Sequence, residues 1–133
     1  MDKKLIRNLI EMAVAGRTFS YSPYSHYSVG AALLAEDGTV FTGCNIENSS
    51  LGVTICAERV ALSKAVSDGR RKGFVMLAVA ADSESYCMPC GLCRQFISEF
   101  SSDIEILSAR GDGRYTSYRL SQLLPHPFEA YEG

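Results

Sequence analysis

No apolar run in this 133-residue sequence approaches the roughly 20 residues needed to cross a bilayer, so no membrane-spanning helix is expected. Positive charge is also in short supply. Thirteen Lys and Arg stand against fifteen Asp and Glu, for a formal net charge of −2 and an isoelectric point near 5.7. Proteins that grip a phosphate backbone carry a basic face. The single compact basic run, Arg70-Arg71-Lys72, follows a predicted helix end and reads as a solvated turn. Neither nucleic acid nor a membrane is therefore expected as a partner. The start, Met1-Asp2-Lys3-Lys4, runs into a mixed polar and apolar pattern and does not read as a signal peptide. Five cysteines, an odd number with no secretory signal, argue against a disulfide scaffold. Reduced thiols in a cytoplasm suit metal binding better. Internal repeats, linkers and low-complexity stretches are missing too. The length fits one domain over 1–133 with a real core, and is too short for two.

What is present is a regular alternation of elements. Leu5, Leu9, Met12 and Ala13, beside Ile6 and Ile10, recur at helical spacing and predict an amphipathic helix over 3–16. Tyr21 to Tyr27 is a proline-containing aromatic loop. Val29–Leu34 and Val40–Thr42 flank Glu36-Asp37-Gly38, which predicts a hairpin. A polar stretch from Asn45 to Thr54 leads to a second helix over 56–67, closed by Gly69. Phe74–Ala81 is almost continuously apolar and fits a strand covered on both faces. A third helix is expected from Pro89 to about Phe100, then strands over 104–108 and 114–118. A short helix over 120–124 is stopped by Pro125 and Pro127. This order implies an α/β sandwich with a mixed sheet.

Two segments fit together as one site: Cys56-Ala57-Glu58-Arg59, and, starting 33 residues after Cys56, Pro89-Cys90-Gly91-Leu92-Cys93. Zn²⁺ takes four ligands, and a catalytic zinc site leaves one of them to water. Three thiolates with a carboxylate that does not ligate answer that need, the acid moving protons between water and substrate. Cys56 and the Cys90/Cys93 pair fall where helices begin, where free amides and the helix dipole stabilise thiolates. Arg59 can offset the charge of three thiolates through hydrogen bonds to sulfur, or make an ordinary surface ion pair. Cys87 also makes a C-x-x-C with Cys90. Proline suits a helix start, so Pro89 puts Cys90 and Cys93 in the first turn and leaves Cys87 in the loop. Cys44 and Cys87 then read as ordinary buried or half-buried thiols.

Around these residues the sequence resembles the cytidine deaminases, in their small homotetrameric form with three cysteine ligands. The resemblance runs from Tyr21 to Phe128. It rests on Tyr24-Ser25-His26-Tyr27 with Val29-Gly30-Ala31-Ala32-Leu33, Gly43-Cys44-Asn45-Ile46-Glu47-Asn48, the two cysteine segments extended to Arg94-Gln95, and Leu123-Leu124-Pro125. It implies a three-layer α/β/α sandwich with a five-stranded mixed sheet, and a homotetramer whose active sites are shared between subunits. It implies Zn²⁺ on Cys56, Cys90 and Cys93 and proton transfer by Glu58. The substrate would meet Asn45 and Glu47 at the ribose 3′-hydroxyl, Tyr27 against the pyrimidine, Ala57, and Phe128 from a neighbouring chain. Tyr27 stands where the family usually has Phe, and Leu51 where many members carry an aromatic residue; both bear on nucleoside preference. The implied reaction is hydrolytic deamination of cytidine and 2′-deoxycytidine in pyrimidine salvage, in the cytoplasm. Deamination of a modified nucleoside such as blasticidin S, or a non-catalytic zinc module with a closed four-ligand site, are the alternatives. The related blasticidin group generally lacks the Asn-Ile-Glu-Asn run.

Overall fold

The computed structural model describes residues 2–129. Helix α1 (Lys3–Gly16) opens under the Asp2 carboxylate, which accepts the Lys4 backbone N–H at 2.9 Å. It buries Ile6, Leu9, Ile10 and Ala13 as a single stripe, leaving Met12 at its edge, partly exposed. Strands β1 (Val29–Ala35) and β2 (Val40–Cys44) form the expected hairpin, with Gly38 at φ 90° in the turn. Then come α2 (Ala57–Ser67), β3 (Phe74–Ala81), α3 (Gly91–Ser98), β4 (Glu105–Ala109), β5 (Tyr115–Arg119) and α4 (Leu120–Leu123). Short 3₁₀ turns at Arg17–Phe19 and Leu51–Val53 were not foreseen from sequence.

The five strands form one sheet in the order β2-β1-β3-β4-β5. Only β3 and β4 run parallel, joined through α3; the other neighbours are antiparallel. The expected mixed sheet is thus present, with helices on both faces. On one face, α1 packs over Ala32, Leu34, Met76, Ala78 and Leu107. On the other, residues of α2 and α3 meet Ala31, Leu33, Leu77, Val79 and Ile106. Being covered twice is why β1 and β3 read as unbroken apolar runs rather than as alternation.

One glycine decides how close α2 comes. A Cβ on Gly43 would lie 2.4 Å from the Ala57 carbonyl oxygen and 2.6 Å from the Ala61 nitrogen. The first turn of α2 therefore rests directly on the β2 backbone, and that turn carries the residues of the site.

Candidate metal centre

Cys56 is the residue immediately before α2, and Cys90 the residue immediately before α3; both are extended (ψ 154° and 169°). Cys93 sits in the first turn of α3. The placement expected from Pro89 is thus close, with Cys90 capping the helix rather than lying inside it. The loop before α3 is pinned from two sides. The Cys87 N–H donates to the Ala109 carbonyl at 3.2 Å, and Arg94 donates from Nε to the Pro89 carbonyl at 2.8 Å and from Nη1 to the Leu123 carbonyl at 2.9 Å. The parallel pair β3–β4 delivers this loop at the carboxyl end of β3, where open α/β sheets place their ligand sites.

These supports bring three sulfurs together. Cys56 Sγ is 3.7 Å from Cys90 Sγ, which is 3.4 Å from Cys93 Sγ, and all three lie within 4.8 Å of one another. Tetrahedral zinc with bonds of ~2.3 Å sets its sulfur ligands about 3.8 Å apart. The donor set is all thiol, which suits zinc over the oxygen-seeking cations. The residues therefore fit Zn²⁺. Among the described residues, Cys44 and Cys87 stand outside this ligand group, so it offers three protein ligands and not a closed set of four.

The charge pattern is uneven across the cluster. The Cys56 thiol is pushed down to about 5 by the Cys93 hydrogen bond, with further help from Arg59 and Cys90. Cys93 moves the opposite way, because its hydrogen serves the Cys56 sulfur and burial disfavours its own charge. Zinc takes all three sulfurs as thiolates, so its binding must displace the Cys93 proton. Arg59 Nη2 lies 3.9 Å from Cys56 Sγ and donates to the Thr54 carbonyl at 2.9 Å. It lies against the cluster, and among the described residues it makes no ion pair with a carboxylate.

Glu58 is 4% exposed. Burial raises its carboxyl to about 7, and the Cys56 thiolate adds to the shift. It shares a cavity of about 270 Å³ with Tyr27, Asn45, Cys56, Ala57 and Cys90. Sequence reasoning named all six. It missed Val29, Thr54, Tyr86, Cys87 and Met88, which complete the lining. Cys87, read as an ordinary thiol, is buried but faces this space, because its backbone bond to β4 turns the loop inward.

Asn45 and Glu47 are both engaged with the aromatic loop. Asn45 Oδ1 accepts from Ser20 Oγ and from the Val29 N–H at 3.0 Å, while its Nδ2 donates to the Tyr27 carbonyl at 2.8 Å. Among the described residues, the second amide hydrogen of Asn45 has no partner. Glu47 accepts from the Tyr24 and Ser25 N–H groups at 3.0 and 3.1 Å and from the Ser25 hydroxyl, which holds its carboxyl below the usual range. It stands outside the cavity lining. Phe128 is also outside it, 70% exposed, with its backbone held by the Gln95 amide at 2.9 and 3.0 Å.

The family described as the cytidine and deoxycytidylate deaminase zinc-binding region matches residues 3–107. Among similar proteins is a cytidine deaminase of Sporosarcina psychrophila, 49% identical over 92% of this chain and 90% of the relative. Another, from Halalkalibacterium halodurans, is 45% identical over 98% and 96%. The crystal structure of a cytidine deaminase from Burkholderia pseudomallei superposes with a TM-score of 0.89 at 40% identity, covering 96% of this chain and all of that one.

Proposed function

Since this chain belongs to the cytidine and deoxycytidylate deaminase family, we propose that it hydrolyses cytidine and 2′-deoxycytidine to their uridine products and ammonia. The observation that carries this reading is the buried Glu58 carboxyl in one cavity with Cys56 and Cys90, beside a three-thiol zinc set. Cys56, Cys90 and Cys93 would hold the zinc, which when bound would supply the Lewis acidity that water activation near neutral pH needs.

The chain's own groups do the rest. Glu58 takes one proton from the attacking water and passes it to N3 of the base, then takes the second from the resulting C4 hydroxyl and delivers it to the amine, which leaves as ammonia. Its burial raises proton affinity, which suits a group that both takes and gives. Arg59 steadies the Cys56 sulfur and offsets the excess negative charge of three thiolates. The free Asn45 amide hydrogen and the Glu47 carboxylate meet the ribose 3′-hydroxyl, while Tyr27 packs against the pyrimidine over Ala57. Glu47 has a second role, holding the Tyr24–Ser25 backbone beside the cavity.

The active unit is a homotetramer with shared sites, and Phe128 closes the cavity of a neighbouring chain. Two observations support this. The cavity, about 270 Å³, falls just short of the roughly 300–1,000 Å³ of small-molecule sites. Phe19, Leu51, Val53, Leu92 and Phe128 are all more than half exposed, apolar side chains that neighbouring subunits would cover. Residues 1–133 act as one domain. The cytoplasm suits the chain, because its site needs reduced thiols; no helix among the described residues is long and apolar enough to cross a membrane.

Cytidine, 2′-deoxycytidine, cytosine and blasticidin S, followed in parallel by ultraviolet absorbance, test the reading. Turnover of the two nucleosides and not of cytosine is expected. Turnover of blasticidin S alone would replace the substrate, and turnover of none would return the chain to a zinc-binding module.

A further inference from the structure

Three consecutive residues at the start of α3 divide two duties. Cys93 belongs to the sulfur cluster, while the next two, Arg94 and Gln95, hold the C-terminal segment. Arg94 also brackets Cys90. Its backbone N–H donates to the Cys90 carbonyl at 3.0 Å, and its Nε donates to the Pro89 carbonyl at 2.8 Å. One residue thus binds both peptide groups that flank the Cys90 Cα. A third bond runs from Nη1 to the Leu123 carbonyl at 2.9 Å. Leu123 ends α4, where a helix leaves its last carbonyls without partners of its own. A guanidinium is planar and rigid, so Nε and Nη1 cannot move independently. Whatever sets the Leu123 carbonyl therefore also sets the plane of the Pro89–Cys90 peptide, and the reverse holds too. Gln95 supplies a second tie. Its side-chain amide donates to the Phe128 carbonyl at 2.9 Å and accepts the Phe128 N–H at 3.0 Å. Pro125 and Pro127 lie between the two ties and stiffen the chain that joins them.

We infer that Arg94 and Gln95 are positioning residues that couple zinc binding to the placement of residues 123–128. The docked segment holds Cys90 where it can ligate, and bound zinc holds the segment down. The inference rests on the metal-centre reading above and extends it, because the placement of Phe128 then depends on the metal content of its own chain. Such coupling is reciprocal: the factor by which docking of the segment raises zinc affinity is the factor by which zinc favours docking.

The experiment measures zinc affinity of the full chain by chelator competition, and amide exchange with and without zinc. Arg94→Met keeps an unbranched apolar stem but loses the fork, and its zinc affinity should fall roughly 10–100-fold. Arg94→Lys carries a compact point charge that cannot serve both carbonyls in the fork's geometry, and should recover only part of that loss. In the cobalt-substituted chain, Arg94→Met should shift the absorption bands, a sign of altered ligand geometry that lowered stability alone does not give. Gln95→Ala removes the tie to Phe128 and touches no peptide of a ligand, yet should weaken zinc by about threefold or more. In the native chain, zinc removal should speed exchange of the Leu124 and Phe128 amides by about tenfold relative to Leu77 of β3. Protection of Leu77 in each variant reports on folding, and if Arg94→Met loses it, Gln95→Ala decides. An unchanged zinc affinity in Gln95→Ala, or tail amides that exchange alike with and without zinc, overturns the coupling. A native affinity in a folded Arg94→Met removes Arg94 from it. A native chain that binds no zinc overturns the metal centre and this inference with it, whereas zinc bound with an indifferent tail overturns the inference alone.

Discussion

Gly43→Ala is a single added methyl whose effect can be worked from the structure. Its carbon would lie 2.4 Å from the Ala57 carbonyl oxygen, 2.6 Å from the Ala61 nitrogen and 3.1 Å from Val60 Cβ. Two of these are backbone atoms of α2, so no rotamer change relieves them. To restore ordinary contact the start of α2 must retreat from β2 by about 1 Å, a misplacement that can cost roughly 10²-fold in rate at a catalytic site. Overpacking of this kind typically costs about 1–3 kcal/mol, against roughly 5–15 kcal/mol for the whole fold. The same movement carries Cys56 away from a sulfur 3.7 Å distant and Glu58 away from its cavity. Gly43→Ala should therefore unfold at lower denaturant, hold zinc less tightly in a chelator competition, and lose roughly tenfold or more in cytidine turnover. Gly52→Ala, where an added Cβ meets nothing within 4 Å, serves as the stability control and should shift the midpoint little. A Gly43→Ala chain with native midpoint, zinc affinity and turnover would refute the idea that this close approach positions the site.

Phe128→Ala keeps the backbone clamp by Gln95, so the tail stays attached while the ring is lost. It should raise KM for cytidine by about one to two decades without changing zinc content, as expected for a buried aromatic face worth roughly 1.5–3 kcal/mol; an unchanged KM removes Phe128 from the site. Light scattering should give four chains per particle, and an active monomer would contradict shared sites. Asp37 is held down from its ordinary 3.8 to about 2 by the Thr39 N–H and by Arg70, whose guanidinium bonds it at 2.8 Å. A depressed carboxyl stabilises the fold above its unfolded pKa, and this contribution disappears as pH falls through the folded value. Asp37→Asn should therefore flatten the loss of stability between about pH 4 and pH 2, read from denaturation midpoints; an unchanged acid limb would show that the hairpin pair contributes nothing.

Much of this molecule was legible before its folding was known. The Phe74–Ala81 run matched β3 to the residue, because a strand buried on both faces needs no polar alternation. The expected strands over 104–108 and 114–118 were each displaced by one residue from β4 and β5, whose register is set by cross-strand partners such as Leu107 with Ser117. β2 continues to Cys44 because Gly30 pairs with it across the hairpin, a contact that local turn chemistry cannot report. The three zinc thiols were readable because spacing and helix starts are local. Cys87 was not, since its place in the cavity wall depends on a bond to Ala109, 22 positions away. The links from Asn45 and Glu47 to Ser20, Tyr24 and Ser25 are likewise tertiary, and no periodicity reveals them.

The central claim is that a buried carboxyl, working beside three zinc thiolates, moves the protons of cytidine hydrolysis. Its most direct test is Glu58→Gln, measured for zinc stoichiometry and cytidine turnover on the same preparation. Gln has nearly the same shape and can still hydrogen-bond, but it cannot carry the proton. A general acid–base group contributes roughly 10²–10⁴-fold, and here one residue serves several transfers. The account predicts one zinc per chain, as in the native protein, with turnover reduced by at least roughly 10²-fold. One zinc per chain with near-native turnover would contradict it.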